Sequence, residues 1–243
     1  DVDEDGICDV YDYHIYLNPT NFELLTSGVI TSSYELNYET NFHAFDYLCR
    51  LIPDWGTIHL APGNYGDIYI GNSINDWYAW PGSWQFGQSP GFYGTDRKNI
   101  SIIGDEPGSV YFNRVDVNDF GHSWVFENLS ITEQFHYEGN SDNADDITVI
   151  KNCDFIDISG TSLLLEESAR VENCTFSNCD VGVEITRIGP LWTTEIVDCT
   201  FDQCAIALLR PAIASQAQSY SGFEGEEHTV WAGGSPKCFN SSF

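Results

Sequence analysis

The sequence predicts an all-β fold, a parallel β-helix in which short coils stack into a solenoid. Three observations predict it. Four segments recur in phase, FENLSI around Asn128, IKNCDF around Asn152, VENCTF around Asn173 and IVDCTF around Asp198, at spacings of 24, 21 and 25 residues. Each places an Asn or Asp before an inward-type residue (Leu129, Cys153, Cys174, Cys199), then one polar residue, then an apolar one (Ile131, Phe155, Phe176, Phe201), which is the two-residue period of a strand. Gly, Asn and Asp punctuate the segments, so each turn buries its apolar face only by stacking on its neighbours.

The frame extends upstream. NISIIGDEPGSVYF fits it with Gly104 at the Asn position, 24 residues before Asn128. A leucine-rich repeat would show leucines at fixed offsets, and that comb is missing. The column Asn128, Asn152, Asn173 and Asp198 is expected to form a corner ladder whose side chains bond backbone groups left unpaired by the turn.

The stretch TNFHAFDYLCRLIPDWGTIHLAPGNYGDIYI, followed by NISIIGD and the NCTF segments, resembles the right-handed parallel β-helix, or pectin-lyase-like, group of secreted proteins over roughly residues 40–210. The resemblance implies a right-handed coil with a short amphipathic helix over its N-terminal end. Thr40 is placed to cap that helix, which would cover 41–50 with Phe42, Phe45 and Leu48 or Cys49 on its inner face. The chain then divides into an N-terminal segment 1–39, the β-helix 40–210 with an aromatic insertion at 76–94, and a C-terminal capping or assembly segment 211–243. The fold alone does not assign an activity, because it hosts lyases, hydrolases, esterases, adhesins and passive fibres.

Eight cysteines follow the same frame. Cys174 and Cys199, like Cys179 and Cys204, occupy matching positions 25 residues apart, and Cys153 continues the first column. Stacked strands lie about 4.8 Å apart, inside the Cα separation a disulfide accepts, so disulfides or stacked buried thiols are both open. Zinc is disfavoured, because CTFSNC and CTFDQC lack its ligand spacing. Cys8, Cys49 and Cys238 are candidates to staple the ends.

Residues 1–12, DVDEDGICDVYD, carry the most specific chemical motif. Asp1, Asp3, Asp5, Asp9 and Asp12 fall at the ligand positions of a calcium loop, Gly6 at its sharp turn and the Ile7 carbonyl at its backbone-oxygen position. Hard Ca²⁺ suits such an oxygen array. The loop resembles those of thrombospondin type 3 repeats and dockerins, with Asp12 where an EF-hand carries Glu. The expected cofactor is Ca²⁺, clamping the N-terminal segment.

Catalytic motifs are sparse. A polysaccharide lyase on this fold needs carboxylates holding Ca²⁺ against a uronate and a positioned base. The candidates are Asp142, Asp145, Asp146 and Lys151, or Arg170 and Arg187. The Gly-His-Gly, Arg-x-Lys and pectin-esterase signatures are missing, and the six histidines form neither HExxH nor an H-x-H pair. Trp77, Trp80, Trp84, Phe86, Phe92 and Tyr93, in the insertion, are of the type that stacks on sugars or docks on proteins. Asn99 and Asn240 are the sequon asparagines outside the ladder.

Composition bounds the function. With 37 acidic against 9 basic residues the formal charge is −28, which repels nucleic acid and anionic lipid. No apolar run reaches the roughly 18–20 residues of a membrane span. A methionine-free chain beginning at Asp1 with an even cysteine count reads as a secreted or surface product from which a leader has been removed. The expected function is an extracellular structural or surface protein, stabilised by calcium and disulfides and assembling with copies of itself or other extracellular proteins through its ends. The alternative is a carbohydrate-active enzyme or a carbohydrate-binding module, with polysaccharide as partner.

Overall fold

A computed structural model describes residues 14–20, 45, 48–49, 52–71, 99–119, 123–139, 147–166, 168–186, 194–209 and 237–242. The described strands are β1 (His14–Leu17), β2 (Thr57–Leu60), β3 (Gly63–Asn64), β4 (Ile68–Gly71), β5 (Ser101–Gly104), β6 (Val110–Asp119), β7 (Val125–Glu127), β8 (Leu129–Gly139) and β9 (Thr148–Lys151). They continue with β10 (Asp154–Ile156), β11 (Thr161–Leu165), β12 (Ala169–Glu172), β13 (Thr175–Ser177), β14 (Val181–Ile185), β15 (Thr194–Val197), β16 (Thr200–Asp202), β17 (Ile206–Leu209) and β18 (Lys237–Phe239). The protein is all-β, and its described strands pair in parallel.

Two sheets result. One has eight strands in the order β1-β2-β5-β7-β9-β12-β15-β18. The other has ten, running β16-β13-β10-β8-β11-β14-β17, with β3 and β4 joined to β8 through β6. The long strands β6 and β8 cross ground that later repeats divide in two. The first part of β8 pairs β10, with Ile131 opposite Phe155, and its second part pairs β11, with Phe135 opposite Leu163. Each of the last three repeats thus supplies three strands, such as β9, β10 and β11, and each strand stacks on its counterpart one repeat away.

Alternation explains the strands. In β2, β5 and β9, β12, β15 every second side chain is buried, and the register aligns Ile58, Ile102, Phe126, Ile150, Val171 and Ile196 in one column of the interior. A second column holds Phe112, Ile131, Phe155, Phe176 and Phe201. Phe155 and Phe176 stack with centroids 4.6 Å apart, and Phe176 and Phe201 with centroids 4.7 Å apart. These separations equal the spacing of neighbouring strands, about 4.7–4.9 Å, so the ladder sets the stacking. Burying each such side chain contributes about 1.5–3 kcal/mol.

The corners are left-handed. Asn128, Asn152, Asn173 and Asp198 have φ of 61°, 54°, 51° and 53°, a conformation costing most L-residues about 1–2 kcal/mol and tolerated by Asn and Asp. Their side chains do not all do what the sequence suggests. Asn128 Nδ2 donates to Gly104 O (3.0 Å), but Asn152 Nδ2 donates to Glu127 Oε1 (3.2 Å) and Asn173 Nδ2 to Asn152 Oδ1 (2.8 Å). The reason is that the corner N–H groups are already paired to the adjacent repeat, Asn152 N to Glu172 O at 3.0 Å and Asn173 N to Val197 O at 2.9 Å. The amides are left to bond the preceding repeat, at a carbonyl, a carboxylate and an amide oxygen in turn. At Gly104 a Cβ would stand 2.5 Å from Asn128 O, so close backbone approach selects glycine there.

A second left-handed column, not anticipated from the sequence, lies five residues further on. Asp157, Asn178 and Gln203 have φ of 57°, 55° and 57°, and Asn178 Nδ2 donates to Asp157 Oδ1 at 2.8 Å. This corner separates β10 from β11, β13 from β14 and β16 from β17.

A strand from each terminal segment joins the eight-stranded sheet: Ile15 of β1 pairs Ile58, and Cys238 of β18 pairs Ile196. Of the helix expected over 41–50, Phe45, Leu48 and Cys49 are described, all fully buried, and Ile52 N donates to Leu48 O at 3.0 Å. The other residues of 41–50 lie outside the described residues.

Candidate functional site

The outward faces of the sheets carry the polar chemistry, because the inward faces are filled by the apolar columns. On the ten-stranded sheet the parallel register sets Asp116 of β6 directly opposite His136 of β8. Val115 and Val117 flank Asp116, and Phe135 and Tyr137 flank His136; all four are buried, which aims the two polar side chains outward. His136 Nδ1 lies 3.2 Å from Asp116 Oδ1, and its Nε2 lies 3.1 Å from Glu166 Oε1, just past the end of β11. Asp116 Oδ2 also accepts from Arg114 at 3.1 Å. An imidazole is therefore held between two carboxylates, with a guanidinium behind one of them.

Electrostatics follow from that placement. The Asp116 carboxylate, with Glu166 assisting, raises the His136 pKa above its ordinary value against the opposing effect of burial. The ring is favoured as imidazolium, and both N–H groups then have acceptors.

The eight-stranded sheet carries its charges differently. Lys151 Nζ lies 2.9 Å from Glu127 Oε2 on the neighbouring strand. Arg170 reaches Glu172 through Nε and Glu195 through Nη1, both at 2.9 Å. Near the N-terminal edge His14 Nδ1 lies 3.1 Å from His59 Nε2, and Tyr16 stacks on His59 with centroids 4.6 Å apart. Burial and the neighbouring His14 lower the His59 pKa, opposed by Asp105.

Several sequence candidates fall outside the described residues: the calcium-type loop with Asp1, Asp3, Asp5, Ile7, Asp9 and Asp12; the aromatics Trp77, Trp80, Trp84, Phe86, Phe92 and Tyr93; Asp142, Asp145, Asp146 and Arg187; and Cys8. Lys151 and Arg170 are described, on a different sheet from His136, and each is engaged by carboxylates of its own ladder. Asn99 is half-buried and held: its backbone N and Nδ2 both donate to Asp54 Oδ1, at 2.7 and 3.2 Å. Asn240 is exposed and joins the first corner column with φ of 49°.

The described cysteines Cys49, Cys153, Cys174, Cys179, Cys199 and Cys204 are free thiols. Those of the two columns stand in the structure as stacked thiols. In-register side chains on parallel strands project side by side at the strand spacing of about 4.8 Å, beyond the roughly 3.5–4.5 Å between Cβ atoms that a disulfide prefers. The thiols of Cys153, Cys174, Cys179, Cys199 and Cys204 face carbonyls. Cys174 Sγ donates to Glu172 O (3.4 Å) and Ile150 O (3.5 Å), and Cys199 Sγ to Val197 O (3.3 Å) and Val171 O (3.6 Å). Burial pushes the Cys174 thiol well above its ordinary pKa.

Asp116, His136 and Glu166 were not marked by the sequence reading. Their separations do not match the repeat, since the register between β6 and β8 shifts between Phe112 and Arg114. The alternating pattern of SITEQFHYEG, read as one long strand, is the signal that would have placed His136 outward.

Residues 122–217 match the family model described as adenovirus EB1 55K protein / large t-antigen. This stretch is less than half of the chain, and it contains β7 to β17. No curated protein and no solved structure matches.

Proposed function

We propose that the chain is a right-handed parallel β-helix of the pectin-lyase-like kind, serving as an extracellular structural or surface protein. Support for the fold comes from the three-strand repeats, whose equivalent residues stand opposite one another in parallel register. Parallel strands of one sheet joined by a crossover are right-handed in about 98% of cases, which favours that hand.

One observation carries the functional reading: outward polar side chains bond one another, mostly along the stacking direction, with Arg170–Glu172 lying along its own strand. Glu127 meets Lys151, Arg170 joins Glu172 and Glu195, His136 joins Asp116 and Glu166, Asn152 meets Asn173, and Asp157 meets Asn178. A catalytic site needs groups converging on a substrate with bonding capacity left for it. Ladders that satisfy themselves between adjacent repeats suit a shaft whose task is rigidity. The calcium-type loop at 1–12 fits this reading as a clamp on the N-terminal strand, and assembly would use the outer edges of β1 and β18.

Electron microscopy of the concentrated, purified chain in calcium tests the proposal. Regular fibres or layers are the expected result. Dispersed monomers at every concentration would remove assembly, and release of new reducing ends from an acidic polysaccharide would replace the structural reading with the carbohydrate-active one.

A further inference from the structure

The N-terminal edge of the eight-stranded sheet brings two imidazoles together from residues 45 apart in sequence. His14 opens β1 and His59 is the third residue of β2; His14 stands opposite Thr57, so the two histidines are diagonal neighbours on the same face. Ile15 and Ile58, fully buried between them in register, fix that face as the outward one. The nitrogens that meet are His14 Nδ1 and His59 Nε2, 3.1 Å apart. The His59 ring is held from its other neighbour by Tyr16, stacked within 10° of parallel.

This spacing has a specific chemical meaning. Two imidazole nitrogens each about 2.0–2.1 Å from one ion and 3.1 Å from each other subtend roughly 100° at the ion, close to the tetrahedral angle. Imidazole suits zinc, copper and nickel, whereas calcium prefers oxygen. The rings project from adjacent strands, the kind of rigid support that makes a site precise.

We propose that His14 and His59 form a two-imidazole site for one divalent transition-metal ion, with Zn²⁺ as its representative and water in the remaining positions. Among the described residues no set of three His, Cys, Asp or Glu side chains is placed to share an ion, so the described ligands are these two imidazoles. The site is chemically distinct from the oxygen loop at 1–12, and the two would be occupied by different metals.

The test is a zinc titration of the full chain against a chromophoric chelator, in excess calcium so that oxygen sites are filled. One zinc equivalent is expected, with affinity falling at least about tenfold in His14→Ala and in His59→Ala, since loss of a ligand costs no less than loss of a supporting partner. The double variant should lose little more than either single one. In the unaltered protein, imidazole NMR signals of two of the six histidines should shift with the first equivalent. Equal affinity in the single variants, or first-equivalent shifts at other histidines, would overturn the site; the NMR readout stands even where a variant fails to fold.

Discussion

His136 and Asp116 face each other in register on neighbouring strands, Nδ1 to Oδ1 at 3.2 Å, and Glu166 closes the other side of the ring at 3.1 Å. The arrangement favours the imidazolium, so the folded-state pKa of His136 is raised. A raised pKa contributes stability that is fully present below the unfolded value near 6.5 and is lost as pH rises through the folded value. His136→Gln should therefore lower the melting temperature most between about pH 5 and 6.5, by the equivalent of about 1 kcal/mol given partial exposure. The gap to the unaltered protein should close toward alkaline pH. Thermal melts of both proteins across that range check it, and a gap independent of pH would show that the imidazolium bonds contribute nothing.

Phe176 sits between Phe155 and Phe201 in the interior stack and is fully buried, whereas Phe201 retains 6% exposure. Phe176→Ala removes contacts to both neighbours and leaves a cavity that stacked strands cannot close. The expected cost is about 3–5 kcal/mol in urea unfolding. Phe201→Ala should cost less, and the reverse order would contradict the stack.

Asn173 has φ of 51° and donates to Asn152. Asn173→Gly loses the amide bond but keeps the left-handed corner without strain; Asn173→Ala loses both, with a further cost of about 1 kcal/mol. Glycine is usually the less stable choice in a strand, so a denaturant series ranking Gly above Ala at this position is diagnostic of the corner.

Legibility followed the repeat. The first corner column and its inward residues could be read because each repeat uses the same residue types in the same phase, and neighbours in register then repeat the contact. The second column was missed because Gln203 is not a usual left-handed residue, and because the earlier equivalent, Glu133, lies within the continuous strand β8. The outer-face triad was missed for a different reason: a register shift between β6 and β8 decouples its spacing from the repeat. β1, four residues long, is too short for its alternation to register, which hid the meeting of His14 with His59.

Removing calcium should lower the melting temperature if the 1–12 loop clamps the terminus, because an ion bound only to the folded state stabilises it by mass action. Melts with and without a calcium chelator check this, and Asp5→Asn should reduce the calcium-dependent part. No shift on chelation would remove the site.

The thiol columns predict an order of reaction. Cys153, Cys174, Cys179 and Cys199 are at most 2% exposed, while Cys204 is only half-buried at the end of its column. Reaction needs the thiolate, which burial disfavours at Cys174 and at Cys204 alike, so access sets the order. A thiol-specific reagent followed by peptide mapping should label Cys204 first among the column cysteines, with the four buried positions reacting only when the chain unfolds. If denaturation without reductant exposes no labelling at Cys174 and Cys199, the column is oxidised in that preparation, and the parallel side chains must have shifted toward each other to permit the bond.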